Sequence, residues 1–487
     1  MNKKIFLVIA AIGIIVSGFL FSFRLTQTPS GLTIDEASIG YNAVLLSRNL
    51  HDESGRFLPF FPLTINGHDW KQPITVYSTA IIFKIFGPSL TNLKLVSVVA
   101  GLVSLVLVVF LSTHLLGYTG GLVSGLLFIS APIVVMHTHL AQENIMPIPF
   151  TLFWLTGLYL FPKKNNYWFL ILSGVSLGLG LYSYKGMRAI VPVWAILTVI
   201  YLFLSATKKI DKKSLSVSIK NCLFFALGIS PFLLIIPWLN THYAGAVFES
   251  SNLEIKTFYT FLYPYLPSFD VSALFIKGDS TPWHSTGMHG VFLLSTLPLF
   301  VIGLVSALKK EKYWLFLLSA FFTAPLLFGQ VGSVYRFSRL LVFVPFFVLL
   351  STLGVAVSAK SKRGKYLLPV ISLFVIINFF DFAQYYWNQY PQIEKASFLT
   401  NSEKSFQQLA KVSQDKNLKP YIYIDDFVSE GEAGKFFESA NFPEGLGRWK
   451  PGDILPPRSV VMTRLKAQPN MTNLNNTDVA GYYLLIN

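Results

Sequence analysis

Along its first 380 or so residues the chain alternates long apolar runs with short polar or basic stretches. A helix needs about 20 apolar residues to cross a bilayer, within a range of about 17 to 25. On that measure the pattern predicts about eleven spans, at about 5–23, 92–116, 120–137, 145–161, 167–184, 189–206, 220–239, 289–308, 313–328, 339–358 and 366–383. A twelfth apolar run, "ITVYSTAIIFKIF" at 74–86, has 13 residues with Lys84 among them. It is too short to cross and reads as an interfacial or re-entrant helix.

Orientation follows from the basic clusters. Lys3 and Lys4, Lys163 and Lys164, "KKIDKK" at 208–213, Lys309 and Lys310, and "KSKRGK" at 360–365 all fall on one side. That side is cytoplasmic by the positive-inside rule. If 74–86 crossed, every later cluster would flip outward. The first apolar run, 19 residues after "MNKK", lacks a small-x-small cleavage site and reads as a retained anchor. Residues 24–91 and 240–288 become outer loops.

From about 384 the pattern changes. "YIYID", "SVVMT" and "YYLLI" are strand-like and separated by Pro, Gly and Asn turns, and "EKSFQQLAKVSQD" is an amphipathic helix. The expected organisation is a polytopic α-helical membrane domain, 1–383, followed by a small extracytoplasmic α/β domain, 384–487. "NMT" and "NNT" in the tail match a glycosylation sequon, a short pattern common by chance.

Composition agrees. The 487 residues are 53% hydrophobic and 13% charged, about half the charge of a soluble protein. The net charge of +15 would suggest nucleic acid in a soluble chain. Here the basic residues sit between apolar runs, as topology signals and lipid-headgroup contacts, so a nucleic-acid partner is set aside and membrane lipids are expected. The single cysteine, Cys222, excludes disulfides and zinc–thiolate sites.

Ionisable residues near a membrane are expensive and mark candidate sites. The outer side collects Asp35, Glu36, His68, Asp69, Lys71, Glu143, Lys185, Arg188, His284, Tyr335, Arg336 and Arg339. In "GLTIDEASIGYNA", 31–43, Thr33 can cap a helix with Asp35 and Glu36 in its first turn. Dipole-favoured charge is one reading of that pair; a general base at the membrane surface is the other. Lys71 in "HDWKQP", Lys185 and Arg188 in "YSYKGMR", and Arg336 and Arg339 in "VYRFSR" supply cations suited to phosphate. Cations on the outer side exceed what positive-inside topology requires and suggest an anionic, lipid-linked ligand. His284 in "GDSTPWHSTGMHG" and Glu143 in "HLAQEN" are further candidate contacts.

With these residues in view, the chain resembles the C-type-fold glycosyltransferases that use polyprenyl-phosphate-linked sugars, and among them the protein O-mannosyltransferase and aminoarabinose transferase group. The resemblance rests on "IDEA" after the first span, "WKQPITVYSTAIIFKIFGPSL", "LSGVSLGLGLYSYKGMRAIVPV" and "YRFSRLLVFVPFFVLLSTLGV", and covers roughly residues 1–380. It implies that Asp35 is the catalytic base, that Glu36 supports it or contacts the acceptor, and that Lys71 and Arg336 hold the carrier phosphate. The implied reaction is an inverting transfer to a protein, lipid or glycan acceptor. There are departures. The family's lysine-proline-proline is Lys71-Gln72-Pro73 here, and Phe337 replaces the tyrosine after the late arginine. The carboxylate that precedes the lysine in the aminoarabinose branch belongs to a metal site. Trp70 stands there in this chain, so that metal is not carried over; no cofactor is assigned and a divalent metal is left open. The outer loop 240–288 lacks the long inserted domain of eukaryotic mannosyltransferases, which points to the plasma (inner) membrane of a prokaryote with the site on the extracytoplasmic side. Two other readings remain open. A transporter or flippase would place its charges near the midplane in repeated halves, and no repeat is seen. A lipid-linked-oligosaccharide ligase or polymerase would lack the early Asp-Glu pair.

Overall fold

The computed structural model describes residues 2–206, 212–247, 257–468, 471–474 and 481–487. The two sequons begin at Asn470 and Asn475, outside the described residues. The chain forms two compact units: Met1–Arg24 with Ser97–Tyr390, and Leu25–Val96 with Pro391–Asn487. The compact units change at 390, and the first loop, 25–96, is grouped with the tail.

The first unit is helical. Each of the eleven expected spans contains a helix, and among the described residues seven helices are long and apolar enough to cross a membrane. Shorter apolar helices at Trp168–Leu181, Leu294–Ala307 and Phe343–Ser358 fall within three further expected spans. The run 90–129 is a helical hairpin. It reverses at Gly117, whose φ of 80° suits a residue without Cβ, and Ser124 Oγ returns to within 3.4 Å of the Val108 carbonyl. The expected span 120–137 breaks before Pro132, which starts the short helix Pro132–Thr138. The expected span 289–308 becomes helical only from Leu294.

Glycines bring two helix pairs into backbone contact. A Cβ on Gly174 would lie 2.3 Å from the Phe225 carbonyl oxygen, and one on Gly303 would lie 1.8 Å from that of Leu350. Close approach through small residues substitutes for the hydrophobic drive that lipid surroundings remove. Elsewhere aromatic rings fill the interior, as where Trp154 stacks on Trp194 at 4.9 Å.

In the second unit a five-stranded sheet runs in the order Gly447–Trp449, Lys419–Tyr423, Ser459–Thr463, Tyr483–Ile486, Thr472–Asn473. The first three strands are parallel, Tyr483–Ile486 runs against them, and Thr472–Asn473 runs against Tyr483–Ile486. Ser459–Thr463 is buried along its whole length, as the middle strand of a covered sheet should be. The three strand-like runs and the amphipathic helix Glu403–Lys416 appear as expected. The helix Ile424–Asn441 has no clear apolar periodicity to announce it and is kinked at Gly431.

That second unit also builds the surroundings of the Asp35 segment. Leu399 N–H donates to the Leu32 carbonyl at 2.7 Å, one residue before the helix cap. The helix Ile34–Asn49 packs on Ile424–Asn441 so closely that a Cβ on Gly40 would meet Phe436 at 2.8 Å. At its far end Arg48 donates to the carbonyls of Ser439 and Ala440 at 2.5 and 3.2 Å. The run 74–86 is the helix Pro73–Phe86, 14 residues long, too short to span a bilayer.

Candidate active site

Thr33 is the N-cap of the helix Ile34–Asn49. Its Oγ1 accepts from Glu36 N–H at 3.2 Å, while Glu36 Oε2 accepts from Thr33 N–H at 2.9 Å and from its hydroxyl at 3.1 Å. This reciprocal capping box satisfies two donors that a helix start otherwise leaves open. It also divides the acidic pair. Glu36 is wholly buried in the cap, whereas the Asp35 side chain is 55% exposed. Of the two adjacent carboxylates, only Asp35 faces outward.

Lys71 supplies the counter-charge. The antiparallel pair Leu63–Thr64 and Asp69–Trp70 leads into it, its N–H donates to the Pro62 carbonyl at 2.9 Å, and Pro73 opens the next helix two residues on. The lysine is 4% exposed, so its ammonium is fixed by packing. Nζ donates to Asp69 Oδ2 at 2.6 Å and makes a short ion pair with the Asp35 carboxylate. Asp35, Asp69 and Lys71, 36 positions apart at the extremes, thus form one cluster. His68 is exposed in the turn, where its N–H donates to the Thr64 carbonyl at 3.0 Å. Arg56 lies over the Trp70 ring at 4.7 Å.

Lys94 was not singled out by sequence. It is fully buried, and its Nζ has no hydrogen-bond partner among the described residues. The carboxylates that act on it electrostatically are Glu36 and Glu403. Glu403 Oε1 accepts from Leu90 N–H at 2.8 Å, one turn before Lys94. Burial holds the Glu403 carboxyl above the usual range, opposed by that hydrogen bond and by Lys94. Its only sequence signal is a lysine inside an apolar helix.

The other candidates lie in the first unit. Glu143 opens the turn Glu143–Ile145, and its neighbour Asn144 donates to the Ser338 carbonyl at 2.8 Å. Asp279, also unflagged by sequence, accepts from Ser338 N–H at 2.6 Å and from Thr281 N–H at 2.9 Å. Arg336 and Arg339 flank Ser338. Arg339 donates to Ser333 Oγ at 2.9 Å, and the Tyr335 hydroxyl donates to Asp270 at 3.1 Å. His284 stacks on His137 at 5.0 Å. Burial first, then the charges of Arg336 and Arg339, push the His284 imidazole down to about 3, so it is neutral at physiological pH. Lys185 and Arg188 lie around the turn into the helix Met187–Ala206. Arg188 donates to the carbonyls of Ala246 and Val247, the latter at 2.9 Å. Among the described residues no three His, Cys, Asp or Glu side chains group as ligands for a metal ion.

Comparison with known proteins places this architecture. Residues 71–236, beginning at Lys71 itself, match the model of the dolichyl-phosphate-mannose-protein mannosyltransferase family. The chain matches no curated protein. Among solved structures, ArnT from Cupriavidus metallidurans in the apo state superposes with a TM-score of 0.58 at 11% identity, over 98% of this chain and 97% of that one. ArnT bound to undecaprenyl phosphate gives 0.56 at 12%, over 99% and 98%. The Archaeoglobus fulgidus oligosaccharyltransferase, in complex with zinc and sulfate, gives 0.51 at 12%, over 87% of this chain and 61% of that chain. The protein is therefore an integral membrane protein with the fold of the C-type glycosyltransferases. It is similar to ArnT over nearly its whole length.

Proposed function

We propose that this chain is an inverting glycosyltransferase that moves a sugar from a polyprenyl-phosphate carrier to an acceptor on the extracytoplasmic side of a prokaryotic inner membrane. The observation that carries the reading is the Asp35–Lys71–Asp69 cluster, in which an outward-facing carboxylate is ion-paired to a buried lysine. The match of the mannosyltransferase family model from Lys71 onward and the ArnT-like fold support it, as does the undecaprenyl phosphate bound to ArnT.

In this reaction the acceptor hydroxyl oxygen attacks the anomeric carbon of the sugar. Asp35 takes the hydroxyl proton as the new C–O bond forms. The bond between the anomeric carbon and the phosphate oxygen breaks, and polyprenyl phosphate leaves with the electron pair. A single displacement inverts the anomeric centre. The charge that grows on the phosphate is met by Lys71, which is already fixed by burial and needs little reorganisation. Asp35 and the donor phosphate compete for the same ammonium, so donor binding releases Asp35 to act as base. Asp69 keeps Lys71 in place during the exchange. Glu36 acts through the helix cap. Arg336, Arg339, Lys185 and Arg188 are further donor-phosphate contacts in this reading, and His68, Glu143, His284 and Tyr335 are further site contacts. These roles rest on the sequence pattern and the family resemblance.

The test is release of polyprenyl phosphate from lipid-linked sugars by native membranes containing the protein, a readout that does not depend on which sugar is moved. The reading expects release that depends on Asp35 and Lys71. Equal release with and without the protein overturns it.

A further inference from the structure

The helix Lys3–Ser22 stands off from the rest of its unit: along its 20 residues only Phe6, Ser17 and Phe21 are buried. Between it and the hairpin 105–129 runs a groove of about 750 Å³. Ala10 and Gly13 face it from one side, Val109 and Leu126 from the other. Gly13 leaves real space, since a Cβ built there meets no atom within 4 Å. The polar lining is concentrated at one end. Lys3 and His114 both border the groove, and Phe6, one turn after Lys3, meets the Tyr118 ring at 4.9 Å beside the hairpin turn.

This asymmetry says what fills the groove. The apolar stretch of the groove lies at hydrocarbon depth, where lipid chains rather than water fill open space. From Lys3 to Ser17 the helix runs about 21 Å, more than half of the roughly 30 Å hydrocarbon thickness. The occupant is therefore long, flexible and apolar, with a head that suits a cation at the Lys3 end. We propose that the groove holds one acyl chain of an anionic glycerophospholipid, with the headgroup phosphate against Lys3. The site needs neither Asp35 nor Lys71 and is independent of the transferase reading.

The test is native mass spectrometry of the full-length protein, delipidated and then exposed to mixed micelles of phosphatidylglycerol or phosphatidylcholine. The wild type is expected to retain one phosphatidylglycerol and to prefer it over phosphatidylcholine. Gly13→Leu should fill the space and lose the bound lipid while keeping its thermal midpoint, and Ala10→Met should weaken retention in the same direction. Lys3→Gln should lower the preference for phosphatidylglycerol about fivefold, as expected of one lysine at an anionic surface. Retention unchanged in Gly13→Leu, equal retention of the two lipids by the wild type, or retention of added polyprenyl phosphate in place of either overturns the proposal.

Discussion

Lys71→Met separates a catalytic lysine from a structural one. Methionine keeps much of the unbranched stem and removes the ammonium. The lysine is 4% exposed, but its partners face water: the Asp35 side chain is 55% exposed and that of Asp69 is 29%. Hydrogen bonds to charged groups are worth about 1.5–3 kcal/mol when shielded, and exposed pairs about 0–1 kcal/mol. Solvent at the two carboxylates, together with relief of ammonium burial, brings the net loss to about 1–2 kcal/mol, a fall of roughly 2–8 °C in thermal midpoint for a unit of this size. The catalytic effect is larger. Loss of one preorganised group at a developing charge costs about 10²–10³ in rate, or about 2.7–4 kcal/mol. Differential scanning fluorimetry on purified protein and polyprenyl phosphate release from native membranes read the two quantities. The expected result is a small thermal shift with release reduced at least about 100-fold. Collapse of the midpoint with a proportionate loss of activity, or release within a few-fold of wild type, refutes the reasoning.

Other expectations follow from the same geometry. Lys94 is fully buried and its Nζ has no hydrogen-bond partner among the described residues, so Lys94→Met removes a costly buried ammonium and should leave the thermal midpoint at or above that of the wild type; a clear fall in the midpoint would show that Lys94 supports Glu36 through its charge. Glu430 is buried and accepts from Ser402, Tyr482 and Arg464 at 2.7, 2.8 and 2.5 Å, so Glu430→Ala should destabilise the tail by several kcal/mol, on the order of other broken buried networks, read as early proteolysis of the tail. Burial, with Glu432 adding and Lys435 opposing, raises the Glu53 carboxyl above the usual range. A raised folded-state value makes ionisation unfavourable to folding: the contribution is fully present below the unfolded value and is lost as pH rises through the folded one. Glu53→Gln should therefore raise the midpoint at neutral pH, and the gain should shrink toward acid pH in a pH series of melts.

The fold was legible where a single physical cause dominates. Bilayer thickness sets the length of an apolar run, and every expected span contains a helix. Thr33 as a cap was legible because the box Thr33-x-x-Glu36 is local. The same box turns Glu36 inward, because its carboxylate closes back onto Thr33, and leaves Asp35 facing outward. The pairing of Asp35 with Lys71 and Asp69 depends on a short strand pair ahead of Lys71, which has only two residues per strand and leaves little periodic signal. The grouping of the first loop with the tail depends on contacts such as Gly40 with Phe436, almost 400 residues apart in sequence, and no local pattern carries them.

The role proposed for Asp35 as the base is open to a direct test. Asp35→Asn keeps the size of the side chain, its place in the capped first turn and a hydrogen-bond acceptor toward Lys71, but cannot take the proton. Polyprenyl phosphate release by membranes carrying this variant, at matched protein level and thermal midpoint, is the direct measurement. With Asp35 as the base, release should fall at least about 100-fold, the lower end of what a general base contributes. Release within a few-fold of wild type from a folded, membrane-inserted Asp35→Asn protein contradicts it.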